Sequence, residues 1–208
     1  MVNLESITVD TDNSALIVVD LQKDFCASEQ GCAYFERQLI ENRDGLTPIQ
    51  KMIDNYLMPF IDKARKSNLH IVYIQSIYKE GQFQDMPKLC LEGTRGWELY
   101  KVNPDSQGQR EIVIHKDAHN PFNNGNGLEN FLNENNINTL LISGVTTDNC
   151  VSATTYVSLG RGYRPIVLAD CVATAGYKIV TAHKQKLAEF AAHPDIGLVN
   201  SADVHFKA

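Results

Sequence analysis

Short, almost unbroken apolar runs alternate along the chain with longer segments in which apolar residues recur at helical spacing. ALIVVD (15–20), LHIVYIQS (69–76), EIVIHK (111–116), TLLISG (139–144), PIVLAD (165–170) and IGLVN (196–200) read as strands. Their continuous Val, Ile and Leu content predicts a mostly parallel sheet covered on both faces. Between the first two runs, Ile49, Met52, Ile53, Tyr56, Leu57, Phe60, Ile61 and Ala64 form one apolar helical stripe. Thr47 is placed to cap that helix, Pro48 to open it, and Gln50 to complete a capping box. Pro59 removes a backbone donor inside it and predicts a kink. Further helices are expected at about 150–160 and 176–192, with a short one carrying Leu128, Phe131 and Leu132. The alternation predicts a doubly wound three-layer α/β/α fold with a six-stranded sheet, as in Rossmann-like domains. No repeat or linker interrupts it, so residues 1–208 read as a single domain. Residues 26–47 and 77–108 are long and polar enough to lie over a site, and NNGNG (123–127) reads as a surface loop.

Composition narrows the class. The charge balance is −6 with a sequence pI near 5.5, and no basic stripe is present to meet a phosphate backbone. Nucleic acid is therefore not an expected partner. No run approaches the roughly 18 apolar residues of a membrane span, and MVNLESITVDTD lacks the order of a secretory signal, so a cytoplasmic location is the expectation. The five cysteines (Cys26, Cys32, Cys90, Cys150, Cys171) are odd in number and scattered, which reads as free thiols.

Ligands of open α/β sheets bind outside the carboxyl ends of the strands. Asp20 closes the first predicted strand, Lys116 closes the third, and Cys150 lies just beyond the fourth near a helix start. Together they make a base, a cation and a thiol. A thiol is a good nucleophile as thiolate, and a helix N-terminus with a nearby cation lowers its pKa. Asp20 is placed to take the proton of Cys150 and return it to a leaving amine, with Lys116 holding the carboxylate ionised. Backbone amides of the turn 144–150 are placed to face an oxyanion.

The segments VDLQKDF (19–25), VIHKDAHNPF (113–122) and ISGVTTDNC (142–150) resemble the isochorismatase-like cysteine hydrolases, with weaker support from CLEGTRGWEL (90–99) and VLADCVAT (167–174). The resemblance spans roughly 14–200 and keeps the order Asp, Lys, Cys. It is closest to the amidohydrolase branch, which includes N-carbamoylsarcosine amidase, ureidoacrylate amidohydrolase and nicotinamidase. It implies a catalytic triad of Asp20, Lys116 and Cys150, and a cis peptide at Val145–Thr146. The amides of Thr146 and Cys150 would then form the oxyanion hole, through a thioester intermediate. Relatives commonly form dimers or tetramers, which implies a homo-oligomer. Zinc-dependent nicotinamidases of the family carry Asp-x-His where this chain reads Ser76-Ile77-Tyr78, so no catalytic metal and no cofactor are expected. Where relatives often show Ser-Ala-Phe, this chain has Asn120-Pro121-Phe122.

Phe25, Trp97 and Phe122 are candidate aromatic walls of a pocket for a small planar amide, with core packing the equal alternative. Arg95 is a candidate clamp for a substrate carboxylate or, alternatively, a solvated loop residue. His115 and His119 are four apart, but they straddle a strand end with no HExxH glutamate, so they are not read as a metal pair. His183 reads as structural, and Cys26 and Cys171 as packed small residues. The expected activity is hydrolysis of a linear C–N bond in a small amide or ureido compound. Vinyl-ether hydrolysis of isochorismatase type is the alternative. A non-catalytic thiol sensor or binding protein on the same fold is a further one.

Overall fold

The computed structural model describes residues 6–27, 47–84, 88–105, 110–122, 125, 127–174 and 179–207. Six of its strands form one sheet: β2 (Ser14–Val19), β3 (His70–Ser76), β4 (Glu111–Lys116), β5 (Thr139–Val145), β6 (Arg164–Ala173) and β7 (Gly197–Val199). Their order is β4-β3-β2-β5-β6-β7, and every pairing is parallel. The chain winds outward from β2 to β4, returns to β5 and winds the other way to β7. The winding reverses between β2 and β5, where α/β folds open a crevice at the carboxyl ends.

Both faces of the sheet are buried, which is why its strands are apolar at consecutive positions rather than alternate ones. Leu16, Val18, Ile71, Tyr73 and Leu141 share one core with Ile49, Ile53, Leu57, Phe60 and Ile61 of the long helical segment. Ala15, Ile17, Val19, Val72, Ile74 and Ile142 pack on the other face with Leu128 and Leu132 of α4 (Leu128–Glu134), Val151 and Phe190.

A single-turn helix, α1 (Lys23–Cys26), follows β2, and the longer helix before β3 begins as its sequence dictates. Gln50 N–H donates to Thr47 Oγ1 at 3.2 Å, and Thr47 N–H donates to Gln50 Oε1 at 3.0 Å. It runs through α2 (Pro48–Met52) and α3 (Met58–Lys66), with a π-helical turn at Ile53–Leu57 between them. The interruption expected at Pro59 is therefore a widened turn: Met58 N–H bonds Ile53 O five residues back, and Pro59 falls in the first turn of α3, where no donor is needed.

Two four-residue strands escape the sequence pattern. β1 (Ile7–Asp10) and β8 (Val204–Lys207) pair in parallel as a separate ribbon, too short for periodicity to show. The ribbon packs on α3 through Phe206 against Phe60, and Lys63 Nζ donates to Val204 O at 2.6 Å. Two more helices complete the layers. α5 (Ser152–Gly160) follows a π-helical turn at Thr147–Val151, and α6 (Lys184–Ala192) follows one at Ile179–His183. Residues 28–46, most of the expected loop 26–47, lie outside the described residues, as do Cys32, 85–87, 106–108 and most of 123–127. The described part of 77–108 is pinned to the segment after β2, through Lys23 N–H to Glu98 O and Tyr100 N–H to Leu21 O. No helix of the described residues is long and apolar enough to cross a membrane.

At the reversal point β5 presses against β2 at Gly144, whose φ is +104°. A Cβ built there lies 2.1 Å from Val19 O and 2.6 Å from Val19 N. Gly144→Ala is expected to destabilise the fold by roughly 3 kcal/mol, the upper range for overpacking with backbone strain. Gly160→Ala, in a helix with open space around it, is expected to add about 0.5–1 kcal/mol. Urea unfolding of both variants checks the contrast.

Candidate active site

The sheet order lines up the chemistry. Across the carboxyl edge stand Lys116 at the end of β4, Ser76 at the end of β3, Asp20 just after β2, and Cys150 in the turn after β5. Ser76 and Lys116 are paired in register, so their side chains leave the sheet side by side. Asp20 leaves β2 with a left-handed φ of 51°, an outlier that only the surrounding bonds sustain. Its N–H is held by Ile74 O at 2.9 Å.

Asp20, Lys116 and Cys150 are all buried, at 0%, 3% and 4% exposure. Lys116 Nζ donates to Asp20 Oδ2 at 2.9 Å, to Ser76 Oγ at 2.9 Å and to Ala118 O at 3.1 Å, and lies 3.4 Å from Cys150 Sγ. Ser76 Oγ donates to Asp20 Oδ1 at 2.8 Å. Tyr78 Oη lies 3.0 Å from the same serine oxygen, and with the single serine proton already on Asp20 the tyrosine is the donor. The Lys116 ammonium also sits 5.9 Å from the centre of the Tyr78 ring. Burial opposes the Lys116 charge, but Asp20, Cys150 and Tyr78 outweigh it and hold its pKa above the ordinary lysine value.

The sequence expects a depressed thiol, and here the structure differs. Burial pushes the Cys150 thiol up to about 12, Asp20 pushes in the same direction, and the pull of Lys116 does not offset them. The Asp20–Lys116 ion pair thus stands beside a thiol whose pKa is raised rather than lowered. Cys150 stands in the π-helical turn that opens α5. Its carbonyl accepts from Thr154 Oγ1 at 2.7 Å, while Thr147 Oγ1 meets His183 Nδ1 at 2.9 Å and Thr174 Oγ1 donates to Asp148 Oδ1 at 2.6 Å. The Val145–Thr146 peptide bond entering this turn is cis.

The rest of the first motif buttresses the strand ends. Gln22 is fully buried, and its amide donates to Ser76 O and Trp97 O at 2.9 Å each and accepts from Ser76 N–H at 2.7 Å. Asp24 Oδ2 accepts from Cys90 N–H at 2.6 Å, and a Cβ on Gly96 would fall 2.1 Å from its other oxygen. Phe25 is buried in the core, and Arg95 is exposed in a 3-10 turn at Arg95–Trp97. Trp97 packs against His115, whose Nε2 meets Gln75 Oε1 at 3.0 Å. Gln75 and His115 leave the sheet on the face opposite Ser76 and Lys116, so the indole backs the strand ends rather than facing the thiol. Phe122 is buried and stacked on Tyr163 at 5.7 Å, with Arg161 over its ring. Cys26 and Cys171 are buried in the core.

Two kinds of residue in this centre escape sequence reasoning. Ser76 and Tyr78 join the network of Asp20 and Lys116, and a polar residue ending an apolar strand beside the lysine is their only signal. His119 places Nδ1 3.4 Å from Cys150 Sγ, signalled by its position three residues after Lys116. The donor set at 76 and 78 does not fit a divalent metal, because both are hydroxyls already engaged with the ion pair.

The isochorismatase domain pattern matches residues 14–194, and the chain belongs to that family of hydrolases. It is 28% identical over 200 residues to an uncharacterized isochorismatase family protein of Bacillus subtilis, covering 92% of this chain and 94% of that one. It is 29% identical over 160 residues to streptothricin hydrolase of Streptomyces noursei, covering 77% of this chain but 54% of that longer protein. Among solved structures, the nicotinamidase of Bacillus subtilis superposes with a TM-score of 0.74 at 21% identity, covering 90% of this chain and 99% of that one.

Two outcomes test this electrostatic picture. Iodoacetamide labelling of Cys150, followed by peptide mass, is expected to be slow at neutral pH and to climb through the alkaline range; a plateau at or below neutrality would show a standing thiolate instead. Lys116→Met leaves the Asp20 carboxylate buried and alone, at an expected cost of about 3–5 kcal/mol in urea unfolding. Adding Asp20→Asn to it should recover most of that loss.

Proposed function

We propose that the protein is a cysteine-dependent amidohydrolase cleaving a linear C–N bond of a small amide or ureido compound. The observation that carries this reading is the convergence of Asp20, Lys116 and Cys150 in one dry site at the reversal point of the sheet. A relative with such an activity supports the substrate class: N-carbamoylsarcosine amidase of an Arthrobacter species is 40% identical over 62 residues, 30% of this chain and 23% of that one.

On this reading the Cys150 proton passes to the Asp20 carboxylate as the sulfur attacks the substrate carbonyl. The new C–S bond leaves an oxyanion, which the amides of Thr146 and Cys150 hold. The Asp20 proton goes to the leaving nitrogen, the C–N bond breaks, and ammonia or an amine departs from a thioester. Water then attacks the thioester, loses a proton to a base in the site, and the C–S bond breaks to return the thiol. Lys116 stays paired with one oxygen of Asp20 between proton transfers, and Ser76 keeps the other oriented. Because burial and Asp20 disfavour the thiolate, transfer of its proton to Asp20 is expected to accompany attack on the substrate carbonyl.

The test is ammonia release from carbamoyl amino acids, ureidoacrylate-like compounds, biuret, maleamate and nicotinamide. Turnover of the accepted compound is expected to fall by several orders of magnitude in Cys150→Ala with the fold intact by circular dichroism. A Cys150→Ala enzyme that keeps full turnover while Asp20→Asn loses it would overturn the covalent reading in favour of acid-catalysed vinyl-ether chemistry.

A further inference from the structure

His119 is a contact of the Cys150 sulfur that the mechanism above leaves unused. Asp20, Lys116 and Cys150 are all buried, whereas His119 is solvent-exposed. Its ring nitrogen Nδ1 lies 3.4 Å from Sγ. The position is built. Ala118 O accepts from Lys116 Nζ, Asp117 O accepts from Gln82 Nε2 at 2.9 Å, and the imidazole packs 6.2 Å from the Phe83 ring. Phe83 in turn stands edge-on to Tyr78 at 4.8 Å, so a ladder of rings ties His119 to the hydroxyl network under Asp20.

The second half of the reaction needs a base that meets water arriving from solvent. Asp20 is fully buried with Ser76 and Lys116 on its oxygens, whereas His119, at the Cys150 sulfur, is exposed. With His119 exposed and 3.4 Å from Sγ, water entering from solvent would meet a thioester there beside the imidazole. Burial and the nearby Lys116 charge lower the His119 pKa, with Asp20 opposing them more weakly, so the ring is a neutral base at neutral pH.

We propose that His119 is the catalytic base of thioester hydrolysis, a reading that rests on Cys150 being the nucleophile. Nδ1 takes a proton from the incoming water as its oxygen bonds the thioester carbon. The tetrahedral adduct collapses, the C–S bond breaks, and Nδ1 returns that proton to the departing sulfur across the 3.4 Å contact. The cycle ends with neutral imidazole, neutral thiol and free acid. No other reactant is needed.

The test uses p-nitrophenyl acetate, which acylates a reactive cysteine and releases a coloured phenol in that step. In His119→Phe, the first equivalent of phenol is expected at close to the parent rate. The steady rate should then fall about a hundredfold, with acetyl-Cys150 accumulating by intact mass. His119→Gln, which keeps a hydrogen bond but carries no proton, should behave like the phenylalanine variant, and added imidazole should restore turnover to His119→Ala. Variants that turn over like the parent, that slow both phases equally, or a glutamine variant of full activity would overturn the proposal while leaving the nucleophile in place. If the parent forms no acetyl-Cys150 and Cys150→Ala hydrolyses the ester as fast, the nucleophile itself fails and the role of His119 falls with it.

Discussion

A lysine ammonium held against an aspartate in a dry crevice is the constraint around which this molecule is arranged. Taking both charges out of water is costly, and the cost is met only when every donor and acceptor of the pair finds a partner. Here Asp20 accepts from Ser76 and Lys116, and Lys116 spends its remaining protons on Ser76 and Ala118 beside the thiol. Those partners come from four adjacent strand ends. The sheet order β4-β3-β2-β5 is therefore also the order of the chemistry: lysine, serine, aspartate, cysteine.

The pair also explains why the surroundings are rigid and strained. Asp20 and Cys90 both carry left-handed φ angles, and each is held by a long-range bond: Asp20 by Ile74 O, Cys90 by the Asp24 carboxylate. Gln22 fastens Ser76 to the chain after β2 from both sides of its backbone. The segment VDLQKDF is thus one carboxylate of the ion pair followed by two clamps and a core aromatic. Strain of this kind persists where neighbours over-determine it, which is the condition at a preorganised site.

Much of this is legible in the chain. Buried parallel strands announce themselves by continuous apolar runs, and their carboxyl ends show where to look for polar residues, so Asp20, Lys116 and Cys150 stand out before any coordinates. The capping box at Thr47 and Gln50 is legible because it is local. What is not legible depends on distance through space. The upward shift of the Cys150 thiol follows from burial and the nearness of Asp20, and neither is encoded by a thiol near a helix start. The burial of Phe25, and the turning of Trp97 onto the far face, depend on which side of the strand ends the following chain passes. Ser76 and Tyr78 look like the loss of something, a pair of absent metal ligands. In three dimensions they are a hydroxyl relay that completes the ion pair.

The π-helical turn at Thr147–Val151 has one further implication, and it concerns counting. Each residue rotates a helix by about 100°, so the extra residue that this turn absorbs is a phase shift as well as a bulge. An ordinary α-turn would start α5 equally well with one residue fewer, yet it would swing position 150 about a quarter of a revolution away from Lys116. The number of residues between β5 and α5 is thereby fixed as firmly as their identity. The aim of the Cys150 thiol is stored in the length of the chain.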